Sequence, residues 1–494
     1  MKPFDNETKQ NERLKRKRKQ GETEKEKKAK ARGNCGKGCG QIRGNGCELM
    51  KNFKGKLIGT LAAVGLLVSA CGGGGQQEAQ TQPGTGTTTE GTNAQDKGEI
   101  TVWAWDIAVK GLNDVIPLFN KKYPDIKVKI DEVGSSDAYD KVTAGLSAGG
   151  AGLPDAVLME SEVLPVYTSQ FPDGFADLSA MGADSYKEKI TATKWPQSIS
   201  KGKIVAFPWD LGSTGVFYRT DLFEAAGVKA EEIETWDDFI AAGKKIKEKT
   251  GKAMLPVDIS NGTALISMML NQEGISYFDN DGDIILGSDK VTKAMAKIKE
   301  MNDAGLIANV QGWDGTVTAT KNGTVATIPY GVWYSGTIMD QAPETKGKWG
   351  VFLLPAFEKG GNRASNNGGS AMVIPAASKN KEIAYKFVEF ALTDAESQML
   401  LMKKYGLFPS LLETYKDPFF DAPQDFFGNK PIFRLFADES AAIPAVNYTS
   451  DYQRAAKHVA DAQAKILLSQ GDVKATLDEA AELLSVETQR KVKQ

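Results

Sequence analysis

Hydrophobic and polar positions follow two different periods in the region after residue 98. In segments 100–104 and 126–130 they alternate with a period of two, which predicts β-strands. Residues 110–122 and 139–147 carry helical patterns, and the short apolar run 153–159 (LPDAVLM) is typical of a buried strand. The order strand, helix, strand, helix, strand predicts a mostly parallel sheet with helices on both faces.

The same organisation continues to the C-terminus. Thr235-Trp-Asp-Asp238 predicts a capped helix start, the following helical run ends at Gly251, and a second helix start lies at Thr393. We predict further strands at 203–208, 215–219, 325–330, 349–354 and 371–375, and a polar helical region at 452–494. The fold class is therefore α/β.

The apolar pattern has a different meaning near the N-terminus. Leu57 to Ala70 is an uncharged apolar run of 14 residues after a short lysine-rich segment. It is too short to span a bilayer, which needs about 20 residues, and it ends in small residues as a secretory signal does. Residues 50–70 resemble a bacterial lipoprotein signal peptide, which implies lipidation of Cys71 and cleavage before it. Residues 72–98 contain almost no large apolar side chain, so we expect 71–98 to be a lipidated cysteine and a flexible linker.

The balance of basic and acidic residues also changes at Cys71. Residues 1–49 hold 15 Lys/Arg against 7 Asp/Glu, whereas the chain from Cys71 onward has a net charge of −13. We interpret 1–49 as a disordered basic extension and a gene-model artefact, with Met50 as the true start; a long basic leader and a retained N-terminal region are the alternatives. The acidic body argues against a nucleic-acid partner, since neutralising phosphates requires basic patches.

Cysteine and histidine usage excludes several enzyme classes. All four cysteines lie at or before Cys71, and the only histidine is His458. The body therefore lacks the residues for disulfide staples or zinc thiolate sites, and a Ser-His-Asp site could form only around His458. The sequence contains neither a Gly-x-Ser-x-Gly elbow nor a phosphate-binding Gly-rich loop with Lys.

One segment imitates a calcium loop. Asp279-Asn-Asp281-Gly-Asp283 has the right beginning, but Ile284 and Lys290 occupy the positions that need Gly and Glu. We interpret it as a polar turn, and we expect no metal and no cofactor.

Several segments together resemble the extracellular solute-binding proteins, family 1, of ABC importers, the group that contains maltose-binding protein. They occur in the family's order through 99–494, and they are ITVWAWD (100–106), GLPDAVLM (152–159), KIVAFPWDLGSTGVFYRTDLFEAAGV (203–228), TWDDF (235–239), ATIPYGVWY (326–334), GGSAMVIPAASKNKEIAYKFVEFALT (368–393) and YGLFPS (405–410). The resemblance implies a periplasmic-binding-protein type II-like fold: two α/β lobes joined by a three-segment hinge, with a ligand cleft between them.

This fold makes both lobes discontinuous in sequence. We expect lobe one to comprise 99–207 plus 330–415, and lobe two 212–326 plus 418–494. The crossings would then lie near 208–212, 327–329 and 415–418. Three crossing segments permit a hinge motion with few changed dihedrals.

The candidate ligand-binding residues combine stacking surfaces with hydrogen-bond acceptors. A pyranose has apolar faces that stack on aromatic rings and hydroxyl edges that need polar partners. The candidates lie at strand ends and crossings, and the two glycines among them allow close backbone approach; they are Trp105, Asp106, Glu160, Trp209, Asp210, Trp313, Asp314, Tyr330, Trp333, Gly368 and Gly369. Lesser candidates are Tyr448 and Phe408. We expect core or packing roles for Trp103, Trp195, Trp236 and Trp349, a loop-stabilising role for Asp155 and a surface position for His458.

The leading hypothesis is a substrate-binding lipoprotein of an ABC importer, not an enzyme. It would be a monomer on the extracellular face of the membrane, anchored through Cys71, that captures a carbohydrate, most naturally an oligosaccharide, and delivers it to permease subunits. The alternatives are an extracellular glycoside hydrolase that uses Asp106 and Asp210, and a sensory lipoprotein that presents its ligand to a membrane kinase.

Overall fold

The computed structural model describes residues 96–493. The strands are β1 (Gly98–Ala104), β2 (Ile126–Glu132), β3 (Ala156–Glu160), β4 (Ile199–Ser200), β5 (Lys203–Ile204), β6 (Ala206–Pro208), β7 (Thr214–Arg219), β8 (Leu255–Val257), β9 (Ile307–Asn309), β10 (Thr327–Gly331), β11 (Trp349–Phe352) and β12 (Ser370–Val373). The helices are α1 (Asp106–Lys122), α2 (Ser135–Ser147), α3 (Leu164–Gln170), α4 (Trp195–Ser198), α5 (Thr220–Ala226), α6 (Trp236–Thr250), α7 (Ala264–Gln272), α8 (Asp289–Asp303), α9 (Gly312–Lys321), α10 (Tyr334–Gln341), α11 (Lys381–Thr393), α12 (Ala395–Tyr405), α13 (Ile432–Glu439), α14 (Tyr452–Leu468) and α15 (Val473–Thr488).

Lobe one is built on a five-stranded sheet with the order β2-β1-β3-β12-β6. Strands β1, β2 and β3 are parallel, as the alternating pattern predicts, and β12 joins antiparallel to both β3 and β6. The inward residues Ile100, Val102 and Ala104 are fully buried against the helices, which is why the period-two pattern forms a strand here. The α/β fold class is confirmed.

Lobe two contains a smaller antiparallel sheet, β10-β7-β11, and the parallel pair β8-β9. Helix α6 begins as predicted: Asp238 N–H donates to Thr235 Oγ1 at 3.2 Å, while Thr235 N–H donates to Asp238 Oδ2 at 2.9 Å. It ends at Gly251, whose φ of 71° is the left-handed conformation that favours glycine. The buried face of α6, including Trp236 and Phe239, packs into the main core of this lobe.

The second crossing differs from the predicted one. Strands β10 and β11 both pair with β7, so the chain remains in lobe two from β10 through β11. Pro329 lies inside β10, where it opposes Val216, and this is tolerated because β10 is an edge strand. The chain returns to the first sheet only at Ser370, so the second crossing lies at 364–369 rather than 327–329.

The crossing segments are hydrogen-bonded to one another. Leu211 N–H donates to the Phe408 carbonyl at 2.8 Å, and Asn367 N–H donates to the Gly212 carbonyl at 2.8 Å. A Cβ at position 212 would lie 2.0 Å from the Asn367 oxygen, so this close approach requires glycine. The chain then passes from Leu411, packed in lobe one, to Phe420, packed in lobe two.

Three of the four tryptophans with predicted packing roles are buried, and Asp155 stabilises a loop as predicted. Trp195, Trp236 and Trp349 are buried, as predicted, whereas Trp103 is half-buried beneath the Lys141 ammonium. Asp155 fixes a loop by accepting hydrogen bonds from Thr101 N–H (2.9 Å) and Ser378 Oγ (2.6 Å).

The acidic run at 279–283 forms a turn that holds the C-terminal tail. Asp279 Oδ1 accepts from Asp281 N–H and Asp283 N–H, and its Oδ2 pairs with Lys493 Nζ at 2.7 Å. Ile284 and Lys491 add a backbone hydrogen bond of 2.8 Å beside this pair. This agrees with the polar-turn interpretation.

The predictions for 1–49, the signal peptide 50–70, Cys71 and most of the linker lie outside the described residues. Within 96–493, no helix combines the length and hydropathy needed to cross a membrane.

Candidate functional site

Lobe two presents four aromatic rings in mutual contact, which we call the aromatic cluster: Trp313, Tyr330, Trp333 and Tyr334. Trp313 lies 6.1 Å from Tyr330, 5.7 Å from Trp333 and 5.6 Å from Tyr334, measured between ring centroids. Tyr334 is fully buried beneath the others, whereas Trp313 keeps 44% of its surface exposed. The sequence predicted three of these residues as ligand contacts, and the structure brings those three together.

Hydrogen bonds fix the base of the aromatic cluster. Trp333 Nε1–H donates to the Asn367 carbonyl of the second crossing at 3.0 Å. The hydroxyls of Tyr334 and Thr320 lie 2.6 Å apart, and burial raises the pKa of Tyr334 to about 12. The rings are thereby held in one arrangement before any ligand arrives, which lowers the entropic cost of binding.

Trp313 and Asp314 lie in the first turn of α9, not at a strand end or a crossing as predicted from the sequence. Asp258, which follows β8, positions this turn by accepting a hydrogen bond from Gly312 N–H at 2.8 Å through Oδ2. Gly312 has a φ of 58°, so glycine suits the sharp entry into the helix. Asp314 itself is exposed.

The aromatic cluster borders a cavity of about 360 Å³ in lobe two, which we call the aromatic cavity. Trp313 and Tyr330 line one side, and Leu255 and Met268 add apolar surface. Asp258, Asn261 and Thr263 supply polar groups from the loop after β8. Apolar walls with a few convergent polar groups, in a volume of this order, are typical of small-molecule sites.

Lobe one contributes Trp105, Tyr139 and Glu160. Tyr139 Oη donates to Glu160 Oε2 at 2.6 Å and accepts from Glu160 N–H at 3.1 Å, and Trp105 packs edge-on against Tyr139 with centroids 5.7 Å apart. Burial, together with the negative charge of Glu160, raises the pKa of Tyr139 well above its usual range. Asp106 is exposed at the start of α1, where its φ is 48°.

The remaining candidates lie at the hinge, and their placement differs from that of a ligand wall. Trp209 is 1% exposed and packs into the core of lobe one. Asp210 is 7% exposed, and its carboxylate accepts from Ser370 N–H at 2.7 Å. The two carboxylates of the hydrolase hypothesis thus occupy different settings, one exposed on α1 and one bound internally at the hinge.

A second cavity lies between the two lobes, and most of the residues that line it were not among the candidates predicted from the sequence. We call it the interlobe cavity; it has room for about one water-sized group, ≈ 10 Å³. Lobe one contributes Ser161, Glu162 and Lys194, and lobe two contributes Asn271 and Tyr448. Tyr448 was a lesser candidate, whereas Lys194 belongs to a short 3-10 turn that no strand-end pattern could have identified.

The interlobe cavity contains charges that are poorly exposed to water. Lys194 is 3% exposed, and burial lowers its pKa to about 8 despite the nearby Asp210 and Glu162. Burial, reinforced by the charge of Glu160, raises the pKa of Glu162 to about 7. Lys194 Nζ donates to Ser161 Oγ at 2.6 Å. A Cβ at Gly369 would lie 2.6 Å from this ammonium, so the glycine makes room for it.

Comparison with known proteins identifies the family. Residues 104–398 match the family described as bacterial extracellular solute-binding protein. This chain belongs to that family. The chain is also 32% identical to a lactose-binding protein of Rhizobium radiobacter over 359 residues, which covers 71% of this chain and 84% of that protein. An arabinooligosaccharide-binding protein of Bacillus subtilis is 29% identical over 372 residues, covering 72% and 84%.

Solved structures of other solute-binding proteins share the two-lobed fold. A binding protein from B. animalis subsp. lactis in complex with β-1,6-galactobiose is 25% identical, with a TM-score of 0.66, covering 81% of this chain and 100% of that one. The sugar-binding protein MalE from Xanthomonas citri is 20% identical, with a TM-score of 0.68, covering 79% and 97%. The two α/β lobes predicted from the sequence are thereby confirmed.

Proposed function

We propose that this solute-binding protein is the receptor of an ABC importer and captures an extracellular carbohydrate, specifically an oligosaccharide. The observation that carries the proposal is the aromatic cluster on the wall of the 360 Å³ aromatic cavity. Sugar rings present apolar C–H faces that stack on such rings, and Asn261 and Thr263 provide polar groups for the hydroxyls. The curated relatives named for lactose and arabinooligosaccharides support this ligand class.

Capture depends on the two lobes acting together. Lobe two supplies stacking through Trp313, while lobe one supplies the Tyr139–Glu160 pair and Trp105. A ligand that contacts both lobes only when they approach will stabilise the closed form over the open one. The hinge segments 209–213, 364–369 and 408–419 can absorb this motion, since few backbone dihedrals need to change. The closed complex is then the form delivered to permease subunits.

The proposal includes a membrane anchor. Cleavage after Ala70 and lipidation of Cys71 would hold a monomeric receptor on the extracellular face of the membrane. Two acyl chains of a diacylglyceryl group give stable anchoring where one chain would not. Expression in a bacterial host with and without Cys71→Ser tests this: the parent should fractionate with membranes, and the variant should be released. Equal release of both proteins would contradict the anchor.

A thermal-shift screen of the full chain tests the ligand class. Mono- and oligosaccharides, including lactose, β-1,6-galactobiose and arabinooligosaccharides, are compared with amino acids and polyamines. We expect stabilisation by an oligosaccharide, since a ligand that binds only the folded state raises its stability. Mass spectrometry after long incubation should recover the sugar unchanged, as a receptor without catalysis requires. Stabilisation by amino acids or polyamines alone would contradict the proposal, and cleaved sugar would indicate the hydrolase.

A further inference from the structure

The interlobe cavity contains a buried ammonium, that of Lys194, which has more hydrogen-bond donors than its surroundings accept. The Lys194 ammonium has three donors, and among the described residues its hydrogen bond is to Ser161 Oγ. Asp210 and Glu162 influence it through charge, but in the part of the chain that the structure describes neither carboxylate accepts a hydrogen bond from it. A buried ammonium with donors left over is costly, and replacing such a group by an apolar one of similar shape often stabilises a protein.

The position of this ammonium links it to the ligand site. Gly368 lines the interlobe cavity, and a Cβ there would lie 3.5 Å from Trp333 Nε1 in the aromatic cluster. Met268 lines the aromatic cavity and Asn271 lines the interlobe cavity, one helical turn apart on α7. The two cavities are therefore neighbours, because adjacent turns of α7 line them.

The lobes also meet at this point. Thr193, beside Lys194, donates through Oγ1 to the Pro444 carbonyl of lobe two at 3.1 Å. Tyr448 of lobe two lines the same cavity as Glu162, and burial together with the charge of Glu162 raises the pKa of this tyrosine. A group placed here touches both lobes at once.

We propose that Lys194 is a specificity-determining residue that receives one hydroxyl oxygen of the bound oligosaccharide in the interlobe cavity. The cavity has room for one water-sized group, which suits a single hydroxyl. The hydroxyl oxygen accepts from the ammonium, and its hydrogen can be donated to an acceptor such as the Glu162 carboxylate or the Asn271 side-chain oxygen. The proposal rests on the proposed function, and it adds that the ligand places a hydroxyl, not a ring, beside the hinge.

Ligand-free stability gives the first test and does not depend on knowing the sugar. In Lys194→Met the ammonium is replaced by an apolar chain of similar length. We expect differential scanning calorimetry of the full-length ligand-free variant to show a melting temperature at least as high as the parent's, because no sugar is present to satisfy the ammonium. A melting temperature clearly below the parent's would overturn the proposal, since Lys194 would then be a structural residue. Ser161→Ala is the matched control, because it removes the observed partner while keeping the charge.

Sugar affinity gives the second test. Lactose, β-1,6-galactobiose and their monodeoxy analogues are titrated calorimetrically into the parent and into Lys194→Met. We expect the substitution to weaken binding by about tenfold or more, the strength of a hydrogen bond to a charged group. One monodeoxy analogue should be insensitive to it, because that analogue lacks the hydroxyl concerned. An equal loss for every analogue would overturn the proposal. If none of these sugars binds the parent, the result counts against the proposed carbohydrate ligand. The melting temperature of ligand-free Lys194→Met still tests whether Lys194 is a structural residue.

Discussion

The two walls of the proposed cleft are built from different chemistry and in different ways. In lobe two, three of the four rings of the aromatic cluster come from one short segment, 330–334. Together with the exposed ring of Trp313 they form an apolar wall. In lobe one, Trp105, Tyr139 and Glu160 come from three separate parts of the chain; a 2.6 Å hydrogen bond joins Tyr139 to Glu160, and Trp105 packs edge-on against Tyr139. Stacking is tolerant of ring orientation, whereas hydrogen bonds are directional. We infer that lobe two supplies most of the affinity and lobe one most of the selectivity.

The largest expected effect is on the lobe-two wall. Trp313→Ala removes an exposed ring that packs on three others, so binding of a responsive oligosaccharide should weaken by about thirtyfold, or about 2 kcal/mol. Trp313→Phe should keep part of the affinity. Leu468→Ala, an exposed residue on α14, serves as a control that leaves binding unchanged. Titration calorimetry provides the comparison, and parental affinity in Trp313→Ala would refute the stacking role.

A smaller effect is expected on the lobe-one wall. Tyr139→Phe removes the hydroxyl that donates to Glu160, and it frees the carboxylate from its present geometry. One such hydrogen bond contributes about 1 kcal/mol, so affinity should fall by about fivefold. The loss should vary among sugars that differ in one hydroxyl configuration. A uniform loss across those sugars would show that lobe one does not determine selectivity.

A still smaller effect should follow from loss of a positioning group. Asp258→Ala removes the acceptor for Gly312 N–H, which places Trp313 at the start of α9. We expect about a threefold loss of affinity and a changed tryptophan emission spectrum in the ligand-free protein. Lys321→Ala, at the exposed C-terminal end of α9, is the control. An unaltered spectrum in Asp258→Ala would mean that α9 holds its position without this bond.

The smallest effect concerns pH. The folded-state pKa of Glu162 is about 7, above the ordinary value of a glutamate, so the folded protein binds an extra proton between about pH 4.5 and 7. Its contribution to folding stability therefore declines as the pH rises through this window. The groups that face it are Glu160, Lys194 and Tyr448. In Glu162→Gln, chemical denaturation should show a weaker decline between pH 5 and 7 than in the parent. Identical slopes would show that Glu162 does not titrate in this range.

Prediction from the sequence succeeded where the pattern depends on local order. The alternation at 100–104 identified β1, and the Thr235–Asp238 capping box identified the start of α6. It failed at 327–329, where the resemblance implied a crossing, because these residues lie within the edge strand β10. The boundary depends on strand pairing with β7, which residues far apart in the sequence determine.

The candidate site was predictable only in part, for a similar reason. Tyr330 and Trp333 are close in sequence, so the segment that holds them could be recognised. Trp209 has the same aromatic–carboxylate pattern, yet it is buried, because the packing of the hinge determines its orientation. Lys194 could not be recognised, since its burial arises from Gly369 and Asp210 folding over it.

The aromatic wall of lobe two is the surface that we expect to receive a carbohydrate. Intrinsic tryptophan fluorescence of the full chain, titrated with oligosaccharides, amino acids and polyamines, tests this expectation most directly, because Trp313 and Trp333 are themselves the reporters. We expect a saturable change in emission with at least one oligosaccharide and none with the other two classes. A saturable change with an amino acid or polyamine, and none with any carbohydrate, would contradict it.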